Sequence, residues 1–272
     1  MGEPPDGPEG MTMQKPSWVI EKERARRDGT RQTLWLFGLH AVRDALLNPR
    51  RKKLRLVVTK NALDKLGDAA AVAGIAPEVT DPRSFAVPID EGSVHQGAAL
   101  EVRPLDWGAL ADVVIGGDTG APLVVCLDRV TDPHNVGAIL RSAEVFGARA
   151  VIAPARHSAP ETGALAKTAS GALERQPYLR VTNLADTMTD LKGMGFVLLG
   201  LDAAAETPIA AALAELGTRP VGLVLGAEGP GLRDRTRETC DRLVSVAAAG
   251  EFGSLNVSNA AAVALYAAAT RR

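Results

Sequence analysis

Leu223-Val-Leu-Gly-Ala-Glu-Gly-Pro-Gly-Leu-Arg233 is the stretch on which the reading of this chain turns. An apolar run breaks into a glycine-rich loop, as a buried strand does on leaving a sheet. Gly226, Gly229 and Gly231 let backbone approach a ligand closely, and Pro230 stiffens the turn. The plan repeats in Leu243-Val-Ser-Val-Ala-Ala-Ala-Gly-Glu-Phe-Gly-Ser-Leu-Asn-Val-Ser-Asn259. There an apolar strand, predicted over 243–247, runs into a loop holding Gly250 and Gly253. That loop feeds an alanine-rich helix whose start carries Ser254, Asn256, Ser258 and Asn259. Two such strand exits can wall a ligand pocket at the carboxyl edge of one sheet.

Upstream of these blocks the same alternation continues. Leu123-Val-Val-Cys-Leu127 is a continuous apolar run, typical of a strand covered on both faces. Residues 134–146 read as a helix with Val136, Ile139, Leu140 and Ala143 on its buried stripe, ended by Gly147. Further strands are predicted over 148–153, 196–201 and 221–225. Five apolar strands alternating with helices, and a closing helix over 256–272, predict an α/β fold: a parallel sheet with helices on both faces.

A smaller α/β unit is predicted over 34–104, joined by a linker over 105–121 to the larger one over 122–272. Its parts are a helix over 38–47 ended by Pro49, a strand over 54–59 and a second helix from a cap at Asn61 to residue 72. Short strands follow over 77–79 and 98–102. The linker holds one short helical segment near 107–113. Residues 1–33 are rich in Pro, Gly and charge and are expected to form a disordered basic tail.

Composition narrows the function. The 272 residues are 46% hydrophobic and 23% charged, ordinary for a soluble globular protein. No apolar run nears the roughly 20 residues a membrane span needs, and no secretory signal opens the chain, so no membrane partner is expected. Cys126 and Cys240 show no metal-ligand spacing. A reduced, cytoplasmic protein without a metal is the simplest reading. Net charge is −1, but the first 60 residues hold 13 Lys and Arg against 7 Asp and Glu. That leaves 18 basic and 25 acidic residues for the other 212. A basic front on an acidic body suits a polyanionic partner, and Arg50, Arg51, Lys52 and Lys53 are its densest run.

Polar groups gather where the first strand of the larger unit ends, in Asp128-Arg-Val-Thr-Asp-Pro-His-Asn-Val-Gly-Ala-Ile-Leu-Arg141. Asn135 lies at a helix start, and Arg141 lies off the apolar stripe. Each is open to a plain reading, as a cap and a surface charge. Glu228 follows the glycine turn and could orient an arginine or a substrate group. The loop lacks the Gly-Lys-Ser/Thr ending of a P-loop and the Gly-x-Gly-x-x-Gly spacing, which argues against nucleotide hydrolysis and dinucleotide binding.

Three blocks together resemble the three motifs of the SpoU (TrmH-like) RNA ribose methyltransferases of the SPOUT superfamily. They are Asp132-Pro-His-Asn-Val-Gly-Ala-Ile-Leu-Arg-Ser142, Leu225-Gly-Ala-Glu-Gly-Pro-Gly-Leu232 and Gly253-Ser-Leu-Asn-Val-Ser-Asn-Ala260. Gly38-Leu-His-Ala-Val42 and His95-Gln-Gly97 are similar to the L30e-like substrate-binding domain of the branch that methylates a 23S ribosomal RNA guanosine. The resemblance implies a deep trefoil knot in the C-terminal domain, a homodimer, and S-adenosylmethionine as methyl donor. It also implies a catalytic set of Asn135, Arg141, Glu228, Ser254 and Asn256. Donor contacts would come from Leu225, Gly226, Val246 and Leu255. The RNA would meet Arg50, Arg51, Lys52, Lys53 and His95. Arg141 is either the base or the group that stabilises the developing alkoxide, held by Glu228. A transfer RNA guanosine methyltransferase shares all three motifs. A non-catalytic ribosome assembly factor of the same fold is the rival from another class. Glu251 and Phe252 depart from the small or polar residues that many relatives carry in the third motif, which bears on RNA entry.

Overall fold

The computed structural model describes residues 32–89, 93–116, 120–246 and 255–271. Its first elements build a four-stranded sheet from β1 (Leu34–Phe37), β2 (Lys53–Thr59), β3 (Pro77–Thr80) and β4 (Ala98–Val102), in the order β1-β4-β2-β3. Strand β4 runs antiparallel to β1 and β2, and β3 runs parallel to β2. Helix α1 (Leu39–Leu47) buries Ala41, Val42, Ala45 and Leu46, one face at helical spacing. The single helix expected over 61–72 is two. Thr59, not Asn61, caps α2 (Lys60–Leu66), its Oγ1 accepting from Ala62 N at 3.3 Å. Gly67, at φ 57°, ends that helix before the single turn α3 (Ala69–Val72).

After α4 (Leu110–Ile115) come β5 (Leu123–Asp128), α5 (Pro133–Val145), β6 (Ala150–Pro154), α6 (Gly163–Ala169), β7 (Tyr178–Val181) and α7 (Leu184–Gly193). The chain continues through β8 (Val197–Leu201), α8 (Ile209–Leu216), β9 (Val221–Gly226), α9 (Asp234–Thr239), β10 (Arg242–Val244) and α10 (Val257–Thr270). The sheet order is β10-β8-β9-β5-β6-β7, and every pairing is parallel. Among the described residues six strands therefore stand where five were predicted. The strand expected over 243–247 is Arg242–Val244, after which Ser245 makes one bridge to Pro208. The tail at 1–31 and the loop with Gly250, Glu251, Phe252 and Gly253 lie outside the described residues.

The alternation of β5 explains why its apolar run is unbroken. Val125 and Leu127 join the core under α5, α8 and α10, while Val124 and Cys126 join the core under α7. Burial keeps both thiols protonated: it raises the Cys126 pKa and pushes that of Cys240 up to about 12.

The two sheets are fastened together. Gly163 opens α6 directly against β1, where a Cβ would collide with the Trp35 carbonyl and the Phe37 ring. Beside this contact Arg51 is buried, and its Nε and Nη2 grip Glu174 at 2.6 to 3.2 Å. Its Nη1 donates to Glu161 and to the Arg103 carbonyl at 2.6 and 2.7 Å. Burial opposes the charge on Arg51, but the two carboxylates outweigh it and hold its pKa above the ordinary value. Arg51 was expected on an RNA-facing surface. It is instead the buried cation between the two units.

Candidate active site

Two strand exits and the start of the last helix converge at the carboxyl edge of the larger sheet. After β5, Asp132 caps α5: its carboxylate accepts from the His134 and Asn135 amides at 3.0 and 3.3 Å, with Pro133 at the first helical position. This cap fixes Asn135 at the mouth of the sheet. After β9, the glycine loop folds on itself, with Gly231 N donating to the Ala227 carbonyl at 3.0 Å. Gly229 and Gly231 hold φ of 84° and 69°, which glycine adopts without strain. Gly226 has a different reason from the one the sequence suggested. A Cβ on it would collide with the Gly231 backbone, so the loop's own closure requires it rather than a ligand's approach. Asp128, fully buried at the end of β5, accepts from Arg233 N at 3.0 Å and from the Arg233 guanidinium at 2.7 and 2.8 Å. It ties the far end of the loop to the central strand.

Glu228 stands where these three segments meet. Its Oε1 accepts from Asn256 Nδ2 at 2.5 Å, from Asn135 Nδ2 at 3.4 Å and from Val257 N at 3.3 Å. Asn256 Nδ2 also donates to Asn135 Oδ1 at 3.0 Å. Asn256 in turn caps α10, its Oδ1 accepting from Ser258 N at 2.9 Å. A carboxylate at the amino end of a helix of this length is favoured by the helix dipole as well as by its donors.

Beside this junction opens a cavity of about 560 Å³. Leu225, Val246 and Leu255 give it apolar walls, Gly226 contributes backbone, and Glu228 and Asn256 supply polar groups. Asp202, which ends the β8 side, holds Arg237 at 2.5 Å on the rim. Apolar walls with a few fixed polar groups suit a small organic ligand.

Four of the five residues expected to act in catalysis are described, and three of them meet: Asn135, Glu228 and Asn256. Arg141 does not join them. It is exposed on α5, and among the described residues nothing hydrogen-bonds or ion-pairs with it, so the expected hold by Glu228 is not seen. Ser254 lies outside the described residues. All four expected donor contacts line the cavity.

The expected RNA-facing set divides. Arg51 is buried, as above. Arg50 donates to the Asp106 carbonyl at 3.0 Å and lies over the Trp107 ring at 4.8 Å. Lys53 Nζ donates to the Asn48 carbonyl at 2.7 Å, and partial burial lowers its pKa. Lys52 alone of the four projects, exposed, without a described partner. His95 stacks on Phe85 at 4.2 Å, and its Nδ1 accepts from Gly97 N at 3.0 Å. Sequence reading passed over the Asp128–Arg233 and Asp202–Arg237 pairs. An acidic residue closing an apolar strand was the available signal for both.

Comparison with known proteins finds a family match in each of two parts of the chain. Residues 122–266 match the SpoU rRNA methylase family, and residues 35–107 match a family of RNA 2′-O ribose methyltransferase substrate-binding domains. A 23S rRNA (guanosine-2′-O-)-methyltransferase, RlmB, of Ralstonia nicotianae is 40% identical over 244 residues, 87% of this chain and 95% of that protein. The enzyme of the same name from Pseudomonas syringae is 39% identical over 243 residues, again 87% of this chain and 95% of that protein. Among solved structures, the SpoU methyltransferase AviRb of Streptomyces viridochromogenes, in complex with AdoMet, superposes with a TM-score of 0.73 at 23% identity. The match covers 91% of this chain and 92% of that one, and at that identity it speaks for the fold alone. A putative RNA methyltransferase of the TrmH family from Porphyromonas gingivalis gives 0.66 at 27% identity, covering 91% of this chain and 92% of that one.

Proposed function

This chain belongs to the SpoU rRNA methylase family, and on that premise we propose that it methylates the ribose 2′-hydroxyl of a 23S ribosomal RNA guanosine, with S-adenosylmethionine as donor. The observation that carries the reading is the Glu228 junction, which locks the first, second and third motifs together beside one cavity.

The cavity fits the donor in size and in lining. About 560 Å³ lies within the range of small-ligand sites, and Leu225, Val246 and Leu255 offer apolar walls for an adenosine. Backbone of the 226–231 loop would hold its polar edges. When bound, the donor supplies a methyl group already activated on a sulfonium. The protein then has to align a hydroxyl and help its proton leave. Asn135, fixed by Glu228 and Asn256, is placed to hold the ribose. Arg141 is exposed and unengaged in the described chain, free to meet a phosphate or a developing alkoxide. A guanidinium does not give up its proton near neutral pH, so stabilisation suits Arg141 better than a base's role. Ser254 belongs to the same proposal.

The L30e-like character of the smaller unit, the deep trefoil knot, a cytoplasmic location and a homodimer complete the proposal. Val145, Val263 and Tyr266 leave an exposed apolar stripe across α5 and α10, which supports an interface between copies there. Among the described residues no helix is long and apolar enough to cross a membrane. The likeness to 23S rRNA methyltransferases over most of the chain favours ribosomal over transfer RNA. An intact junction disfavours a non-catalytic assembly factor. Calorimetry with the donor, then methyl transfer to an unmodified 23S transcript, separates these classes. Nucleotide-resolution maps of 2′-O-methyl marks from cells with and without the protein name the target; identical maps would sink the proposal.

A further inference from the structure

Among the described residues, Arg129 and His157 are two of four non-glycine residues held at positive φ, 61° and 59°. They leave adjacent strands, β5 and β6, at the same edge of the sheet as the Glu228 junction. Ala159 N donates to the Val130 carbonyl at 3.2 Å and ties the two loops together. A non-glycine residue in this region costs on the order of 1 kcal/mol and persists only where its surroundings impose it.

The surroundings do impose it. From β7, Arg180 reaches under the loop and donates to the carbonyls of Pro154, Ala155 and Ala159 at 3.4, 2.5 and 3.0 Å. Tyr178 Oη donates to the Ala159 carbonyl at 2.8 Å, and Ser158 Oγ donates to the Pro154 carbonyl. Among the described residues no carboxylate pairs with Arg180, so its charge adds to the local field. What this scaffold presents is Arg156 and His157. Both are exposed, with no described partner, and so is Arg129 across the tie. Of the neighbouring carboxylates, Asp128 is engaged by Arg233, Asp132 by the start of α5 and Glu161 by Arg51, while Asp234 has no described partner. Arg129 also lines a second cavity, of about 480 Å³, with Arg233, Asp234 and Arg235. There Arg235 is held by Asp186, which leaves Arg129 as its unengaged cation.

We infer that Arg129, Arg156 and His157 form a rigid contact for the sugar–phosphate backbone of the RNA strand beside the target ribose. The inference rests on the methyltransferase reading for the identity of the polyanion. Loops fixed at both strand exits hold charge at one place relative to Asn135, which positions substrate without reading sequence.

Arg129→Gly with Arg156→Ala tests this in the full-length protein. Glycine keeps the backbone at 129, and Arg156 makes no described contact, so unfolding by urea should be unchanged. Binding to an unmodified 23S rRNA transcript is titrated without donor at several salt concentrations. The slope of log affinity against log salt should fall by about 0.7 to 0.9 per arginine. In turnover, KM for the transcript should rise about tenfold while kcat and donor affinity stay within about twofold, since the lost contact is made equally before and during reaction. Coincident slopes in a folded variant would overturn the contact. So would a fall in kcat with slope and KM unchanged. A wild-type protein that binds the transcript with the expected slope but transfers no methyl group would sink the methyltransferase reading and leave the contact standing.

Discussion

Glu228 Oε1 accepts from Asn256 Nδ2 at 2.5 Å, joining the loop after β9 to the residue that caps α10. One carboxylate thus sets both the glycine loop and the start of the last helix. The same oxygen accepts from the Val257 amide and from Asn135, so three chain segments share a single anchor.

Glu228→Ala removes an acceptor from three N–H groups at once. Hydrogen bonds to a charged group are worth about 1.5 to 3 kcal/mol each, though the three are not additive. Donor affinity by calorimetry should fall at least about tenfold. Glu228→Gln keeps one oxygen in place and should retain more affinity than the alanine variant. Equal affinity in all three proteins would remove the junction from the donor site.

Arg141→Ala should behave in the opposite way. The side chain is exposed and has no described partner, so stability should change by no more than about 0.5 kcal/mol. Donor binding should survive. Methyl transfer should fall by about 100-fold or more if the guanidinium meets charge that develops in the transition state. A turnover near wild type would end its assignment to catalysis, and a donor affinity lost with the activity would mark it as structural.

Much of this was legible in the chain because parallel strands buried on both faces are written as unbroken apolar runs. Leu123–Asp128 and Val221–Gly226 fall at the predicted positions for that reason. Two strands were missed, each for a physical cause. Leu34–Phe37 is four residues long and turns at Gly38 straight into α1, so no window is long enough to show a period. Tyr178–Val181 is an edge strand interrupted by Arg180, whose charge reads as loop until its carbonyl partners are seen. The site was legible through motif residues, whereas Arg51 was misread. A run of four cations looks uniformly solvated, and only the fold reveals that one of them faces two distant carboxylates.

The glycine loop offers a test of which glycines serve closure. Gly226→Ala forces a Cβ into the Gly231 backbone, which cannot yield without opening the loop. Gly229→Ala meets no atom within 4 Å but must adopt φ near 84°. The second change should cost about 1 to 2 kcal/mol of loop strain with donor binding reduced only modestly. The first should abolish measurable donor binding while the rest of the fold still unfolds cooperatively. Comparable donor affinities in the two variants would refute the closure role of Gly226.

Arg51 and Lys52 are adjacent in sequence and should fail in different assays. Arg51→Ala leaves the Glu174 carboxylate, only 4% exposed, and the Glu161 carboxylate, 14% exposed, with no guanidinium between them. Removing one partner of a buried pair typically costs about 3 to 5 kcal/mol, so urea unfolding should shift strongly or the smaller unit should detach. Arg51→Lys should also destabilise, because an ammonium cannot grip Glu174 with two nitrogens while reaching Glu161 and the Arg103 carbonyl. Lys52→Ala should leave unfolding unchanged, since the side chain is exposed. It should lower the salt slope of RNA binding by at most about 0.7 to 0.9, the value for one phosphate. Neutralising Arg50, Lys52 and Lys53 together should lower the slope by less than three phosphates' worth, because the other two side chains are tethered to carbonyls and keep their charge without reaching out freely. A stable Arg51→Ala variant with a reduced salt slope would return Arg51 to the RNA-facing surface and overturn its place as the buried cation between the two sheets.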